Sequence, residues 1–185
     1  MHVLRKIAHK HAKTLLVFCC MFCISAQIST REYQVKAAFL FNFTQFVEWP
    51  GSSFSNAQSP MVIGILGADP FGNYLHDLVS GEKINQHPLE IKHFSSIDEV
   101  DHCHILFINI ADKKGIEAAV EKLKGKAILT VGDARHFSRL GGMIGLYPKN
   151  DKVNIEINLD AAKDGNLVIS SKLLKLSQIV TTDKK

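Results

Sequence analysis

The hydrophobic positions of this chain recur with three different periods, and these divide it into elements. Between Tyr33 and Pro50, Val35, Phe39, Phe43, Phe46 and Val47 share one side of a helical wheel, with Leu40 at its margin. That spacing predicts an amphipathic helix facing a core. Pro50 stops it, because a proline ring disfavours helical geometry in the residue before it and has no N–H to donate. Phe41 lies on the opposite side, where it either packs against a second layer or is offered to another protein.

Three apolar runs, Met61–Leu66, His104–Ile110 and Ala127–Val131, have the length and composition of strands buried on both faces. Helical spacing falls between them. One helix is expected from about Phe71 to Val79, with Asp69 as its N-cap and Pro70 in its first position. A second follows Asp112, with Ile116, Ala119, Val120 and Leu123 on one face. Leu89–Phe94 alternates with period two, as a strand with one wet face does.

The last third reads as a hairpin, with Gly141–Tyr147, a turn over Pro148–Asp151, and Val153–Asn158. Alternation turns Val153, Ile155 and Ile157 toward the core and Asn154, Glu156 and Asn158 away from it. Asn158 or Asp160 caps a turn, Leu167–Ile169 makes a short strand, and Ser170 caps a final helix from Lys172 to Val180. The repeated strand, turn and helix predict a single-domain α/β fold, a three-layer sandwich with a mostly parallel central sheet and a C-terminal hairpin.

Composition changes the picture at the N-terminus. Arg5, Lys6, Lys10 and Lys13 precede the apolar run Thr14–Ile24, and Ser25-Ala26 supplies small residues. Residues 1–26 therefore read as a cleaved signal peptide, leaving 27–185 as the folded domain. The apolar run is short for a membrane-spanning helix. Lipidation at Cys19, Cys20 or Cys23 is disfavoured because bulky residues, Phe18 and Phe22 among them, stand before these cysteines.

The whole chain holds 22 Lys and Arg against 18 Asp and Glu, but residues 1–26 contain four of the bases and none of the acids. The remainder is formally neutral, so a nucleic-acid partner, which requires a basic footprint, is not expected. The same segment takes three of the four cysteines. Cys103 alone remains, and an intramolecular disulfide in the exported chain is excluded.

Candidate chemistry is sparse. Gly67-Ala68-Asp69-Pro70-Phe71-Gly72 has the glycine spacing of a phosphate loop, but Asn73 and Tyr74 stand where Lys and Ser or Thr are needed. His102 and His104 would share one side of a strand, yet a zinc centre needs three or four ligands, so no metal and no other cofactor is expected. No G-x-S-x-G elbow occurs, and Ser170-Ser171 suits a helix cap, so no catalytic residues are assigned. In a parallel sheet the strand ends would gather Gly67, Asp69, Asn109 and Asp133 into a possible ligand crevice, although helix capping accounts for such residues equally well.

Several blocks carry a family resemblance when taken together. Val35–Leu40 with Phe46–Pro50, Ile63–Gly72, Cys103–Ile108, Leu129–Asp133, Gly141–Ile144, Ile157–Leu159 and Ile169–Leu174 resemble, in the same order, the YfiR family of secreted bacterial proteins. The resemblance covers about residues 32 to 176. It implies a non-catalytic periplasmic regulator, a homodimer, that binds the periplasmic domain of a membrane-bound, YfiN-like diguanylate cyclase. Binding holds the cyclase inactive and so lowers cyclic di-GMP and biofilm formation.

Relatives with disulfides tie their activity to redox state, and the unpaired Cys103 sets this chain apart from them. The family interface falls mostly in the C-terminal region. Glu156, Asn158 and Leu174 are accordingly the expected partner-binding residues, with Phe41 as a dimer or protein contact. The alternative from the strand-end residues is a periplasmic small-molecule binding module feeding another sensor.

Overall fold

The uninterrupted apolar runs form the middle of the sheet. A computed structural model describes residues 31–150 and 152–183, and the expected signal peptide lies outside them. Helix α1 spans 31–46 and runs into the short strand β1 (Val47–Glu48). Then come β2 (Met61–Gly67), α2 (Asn73–Val79), β3 (Lys83–Ile84), β4 (His87–Phe94) and β5 (Ile105–Asn109). The chain continues through α3 (Lys113–Leu123), β6 (Leu129–Gly132), a 3-10 turn at Phe137–Leu140, β7 (Ile144–Lys149) and β8 (Lys152–Asn158). It ends with α4 (Leu159–Asp164), β9 (Val168–Ile169), α5 (Ser171–Lys175) and β10 (Gln178–Val180).

The main sheet has the order β10-β8-β7-β6-β5-β2-β4-β3. Strands β4, β2, β5, β6 and β7 are mutually parallel, β8 turns back against β7, and β10 joins β8 in parallel. A separate two-stranded ribbon pairs β1 with β9. This is the expected mostly parallel α/β sandwich with a C-terminal hairpin.

The period of two along the strands sorts the core into two layers. Ile63, Ile65, Ile105, Phe107, Leu129 and Val131 face α1, α2 and the C-terminal helices. Leu66, Leu106 and Ile108 face α3 and the 3-10 turn, packing on Ile116, Ala119, Leu123 and Phe137. Asp112 caps α3 by accepting the Gly115 N–H at 2.8 Å, as its sequence position predicts.

Four expectations are corrected. The buried stripe of α1 is Lys36, Ala37, Leu40, Phe43 and Thr44, and the buried Val47 belongs to β1, while Val35 is 40 % exposed and Phe39 and Phe46 are half-buried. The helix is rotated from the face expected from sequence, and Lys36, on the buried stripe, meets Glu32 and Asp133 there. Asp69 does not cap α2: it accepts the Phe71 N–H at 2.7 Å within the preceding turn, and Gly72 occupies the cap position. Pro148 lies within β7 opposite Val153, so the hairpin turn is tighter than expected.

The fourth correction concerns the C-terminus. The final helix stops at Lys175, and residues 178–180 form a strand because β8 has an unpaired edge that they complete. The expected stripe is split as a result. Leu173 and Val180 are buried, whereas Leu176 and Ile179 are exposed.

Candidate functional site

The carboxyl edge of the parallel strands is the natural place for a ligand in such a sheet. After β2 the chain moves to β4, and after β5 it moves the opposite way to β6, so the direction of winding switches between β2 and β5. Gly67 and Asn109 are register partners there. Gly67 has φ +92°, and a Cβ on it would lie 2.7 Å from the Asn109 carbonyl oxygen, so this close approach requires glycine. Asn109 Nδ2 donates to the Ala68 carbonyl at 2.7 Å, and Asp69 Oδ2 lies 2.9 Å from His93 Nε2.

Asn109 and Asp133 both lie two residues beyond the register pair Phe107–Val131, which places them at matching positions of the edge. Asp133, however, is engaged by α1. Lys36 Nζ is 2.6 Å from Asp133 Oδ2 and 2.5 Å from Glu32 Oε1, and it sits 4.4 Å from the centre of the Tyr33 ring. The Tyr33 ring makes an edge contact with Phe71 at 5.9 Å between centroids. Burial, followed by the Asp133 carboxylate, pushes the Tyr33 hydroxyl up to about 12.

This cluster of Glu32, Tyr33, Lys36 and Asp133 closes the Asp133 side of the edge with the protein's own side chains. Sequence reading found Asp133 but missed the other three. The available signal is Lys36 itself, which shares a helical stripe with Leu40 and Phe43 and so is carried inward with them.

At the opposite edge, His104 is buried beneath the loop that follows β1. Its Nδ1 accepts the Val62 N–H at 3.0 Å, its Nε2 meets the Ser53 carbonyl at 3.1 Å, and Phe54 stacks on it at 4.5 Å. Both ring nitrogens are thus satisfied by backbone, as a neutral imidazole protonated on Nε2 allows. Burial holds its pKa below the ordinary value of 6.5. Trp49 Nε1 donates to the His104 carbonyl at 3.1 Å, which gives the Trp49-Pro50 end of the first helical run its structural use. No group of three or more metal-ligating side chains occurs among the described residues.

The expected docking residues are dispersed. Phe41 is half-buried against the first core layer, and so is Leu174. Glu156 is half-buried on β8, beside Gln178 of β10. Asn158 does not face away from the core: it is fully buried, accepts the Ala161 N–H at 3.1 Å as the cap of α4, and donates to Ser138 O and Thr182 Oγ1. The expected cap of this turn is thus Asn158, and only its outward orientation is overturned, because the cap at the end of β8 draws the side chain inward against the strand alternation. Leu176, 76 % exposed, and Ile179, 47 % exposed, are the large apolar side chains that the C-terminal segment turns outward.

No helix among the described residues is long and apolar enough to cross a membrane. No individually curated protein matches the sequence. Among solved structures, the ABC domain in complex with L-Trp from Streptococcus pneumonia is similar at a TM-score of 0.47 and 12% identity, covering 65% of this chain and 55% of that one. The chain thus spans about half the length of that protein. A family model described as YfiR/HmsC-like matches residues 33–178. Because the match runs from the first helix to β10, the chain belongs to the YfiR/HmsC-like family, a regulatory family tied to periplasmic diguanylate cyclase signalling.

Proposed function

We propose that residues 1–26 direct export and that the remaining chain is a non-catalytic periplasmic repressor. It binds the extracytoplasmic domain of an inner-membrane diguanylate cyclase, holds the enzyme inactive as a homodimer, and so lowers cyclic di-GMP and biofilm formation. Family membership supports the signalling context. The observation that carries the docking reading is the outward pair Leu176 and Ile179, two large apolar side chains on a segment that adds the last strand to the sheet. Exposed apolar residues at the centre of an interface supply its binding energy. Leu174, half-buried on α5 against the core, is assigned to the same surface. Phe41 is assigned to the contact between protomers.

The test is deletion of the gene with measurement of cyclic di-GMP, together with co-purification of the cyclase from membranes. Deletion is expected to raise cyclic di-GMP. Leu176→Asp with Ile179→Asp is expected to abolish capture while leaving the circular dichroism spectrum and melting temperature near those of the parent. An unchanged cyclic di-GMP level on deletion would refute the repressor reading.

A further inference from the structure

Behind the docking segment, on the α3 side of the sheet, lies an open cavity of about 580 Å³. That volume falls in the range of small-molecule sites. Its lining includes Lys113 from the first turn of α3, Arg135, His136 and Arg139 from the 3-10 turn and its approach, Glu156 from β8, and Asp183 from the C-terminal tail. Three permanent cations from two separate elements therefore converge on one concavity.

The counter-charge comes from Glu156 on β8 and, in an unusual way, from the tail. Asp183 is held by its backbone, whose N–H donates to the Arg139 carbonyl at 2.9 Å, and the preceding Thr182 hydroxyl accepts from Asn158 Nδ2 at 2.8 Å. Its carboxylate, by contrast, stops 3.9 Å from Arg139 Nη1, beyond hydrogen-bond distance. The guanidinium is thus partly neutralised through space without being hydrogen-bonded by Asp183. Arg135 is oriented by its own Nε, which donates to His136 Nε2 at 3.1 Å.

We propose that this cavity binds a small phosphomonoester, with Arg135, Arg139 and Lys113 taking its phosphate in the place now answered by the Asp183 carboxylate. Two guanidinium forks and an ammonium suit a doubly charged tetrahedral group, which offers several acceptor oxygens at once. The first turn of α3 adds the positive end of an 11-residue helix. Ligand entry displaces Asp183 and loosens the tail that leads out of β10. This last step alone rests on the repressor reading, because it makes the docking strand responsive to a solute.

Isothermal titration of the purified protein with inorganic phosphate and with glycerol 3-phosphate tests the binding. Saturable binding of glycerol 3-phosphate is expected. It should weaken about tenfold or more in Arg139→Gln and in the exposed Arg135→Gln, and tighten in Asp183→Asn, since each change alters one charge-assisted contact or one competing carboxylate. Vesicles containing phosphatidic acid and the dicarboxylate succinate serve as further arms. The proposal is overturned if neither soluble phosphate binds, if only the vesicles bind, if succinate binds as tightly, or if both arginine variants bind like the parent. Capture of the cyclase is a separate measurement, so failure here and failure of the repressor reading can be told apart.

Discussion

Lys36 and Asp133 stand 97 positions apart in sequence, yet their side chains meet at 2.6 Å with the lysine almost wholly out of solvent. One end of this contact is on α1 and the other is at the tip of β6, so it fixes the rotation of the first helix against the sheet. Removing the lysine alone leaves Asp133 and Glu32 without their cation in a poorly hydrated place. Lys36→Met is expected to destabilise the protein by about 3–5 kcal/mol, as loss of one partner of a buried pair does. Lys36→Met with Asp133→Leu should recover much of that loss, and urea unfolding of the single and double variants measures both. Equal stability of Lys36→Met and the parent would show that the pair contributes nothing.

His104 makes the protein sensitive to acid. Its folded pKa is held below 6.5 by burial, so on acidification the unfolded chain takes up a proton that the folded one resists. Stability is therefore fully present above pH 6.5 and is lost as the pH falls through the lowered folded value. Melting temperatures measured from about pH 7.5 to about pH 5 should decline. His104→Gln should start lower and fall less steeply. Identical slopes for the two proteins would assign the acid sensitivity elsewhere.

Cys103 is expected to be chemically silent in the native protein. Burial pushes its thiol up to about 12, and it is 7% exposed among Phe94, Leu106 and neighbouring apolar groups. A thiol in that state offers almost no thiolate at neutral pH. Ellman's reagent should leave it unmodified in buffer and react with it promptly in urea. Rapid native labelling would restore a redox role.

Phe137 is clamped by two glycines. A Cβ on Gly142 would lie 2.1 Å from its ring, and one on Gly132 would lie 2.5 Å away. Because Phe137 anchors the 3-10 turn bearing Arg139, the clamp also positions a wall of the cationic cavity. Gly142→Ala should cost about 1–3 kcal/mol through overpacking of the ring. Thermal unfolding reads this, and Phe137→Leu in the same background should relieve part of it.

Much of the fold is legible in the sequence where a local signal and the tertiary structure agree. The runs at 61–66 and 105–109 have no polar residue to satisfy until Asn109, so only central strands accommodate them. Asp112 followed by helical spacing defines α3 at both ends. Misreadings arise where a distant group decides. The spacing of Leu173, Leu176 and Ile179 suits a helix, but the open edge of β8 recruits Gln178–Val180, and the β-branched Ile179 and Val180 comply. The ion pair of Lys36 is likewise decided by a distant group, since nothing near it in sequence announces Asp133.

The candidate site was less legible than the fold. The alternation of strands and helices alone brings Asp133 and Asn109 to one edge of the sheet. The basic cavity is illegible in the sequence, because Arg135, His136 and Arg139 look like ordinary surface positions until a turn folds them opposite Lys113 and the tail brings Asp183 over them.

The pairing of β1 with β9 and of β8 with β10 has a consequence for how the molecule comes into being. The partner of its earliest strand and the outermost strand of its main sheet are both supplied by the last residues described. A chain synthesised N-terminus first therefore carries an unpaired β1 and an open β8 edge until residues 168–180 follow. Until β9 and β10 pair with them, those edges are open to other chains and need protection against aggregation.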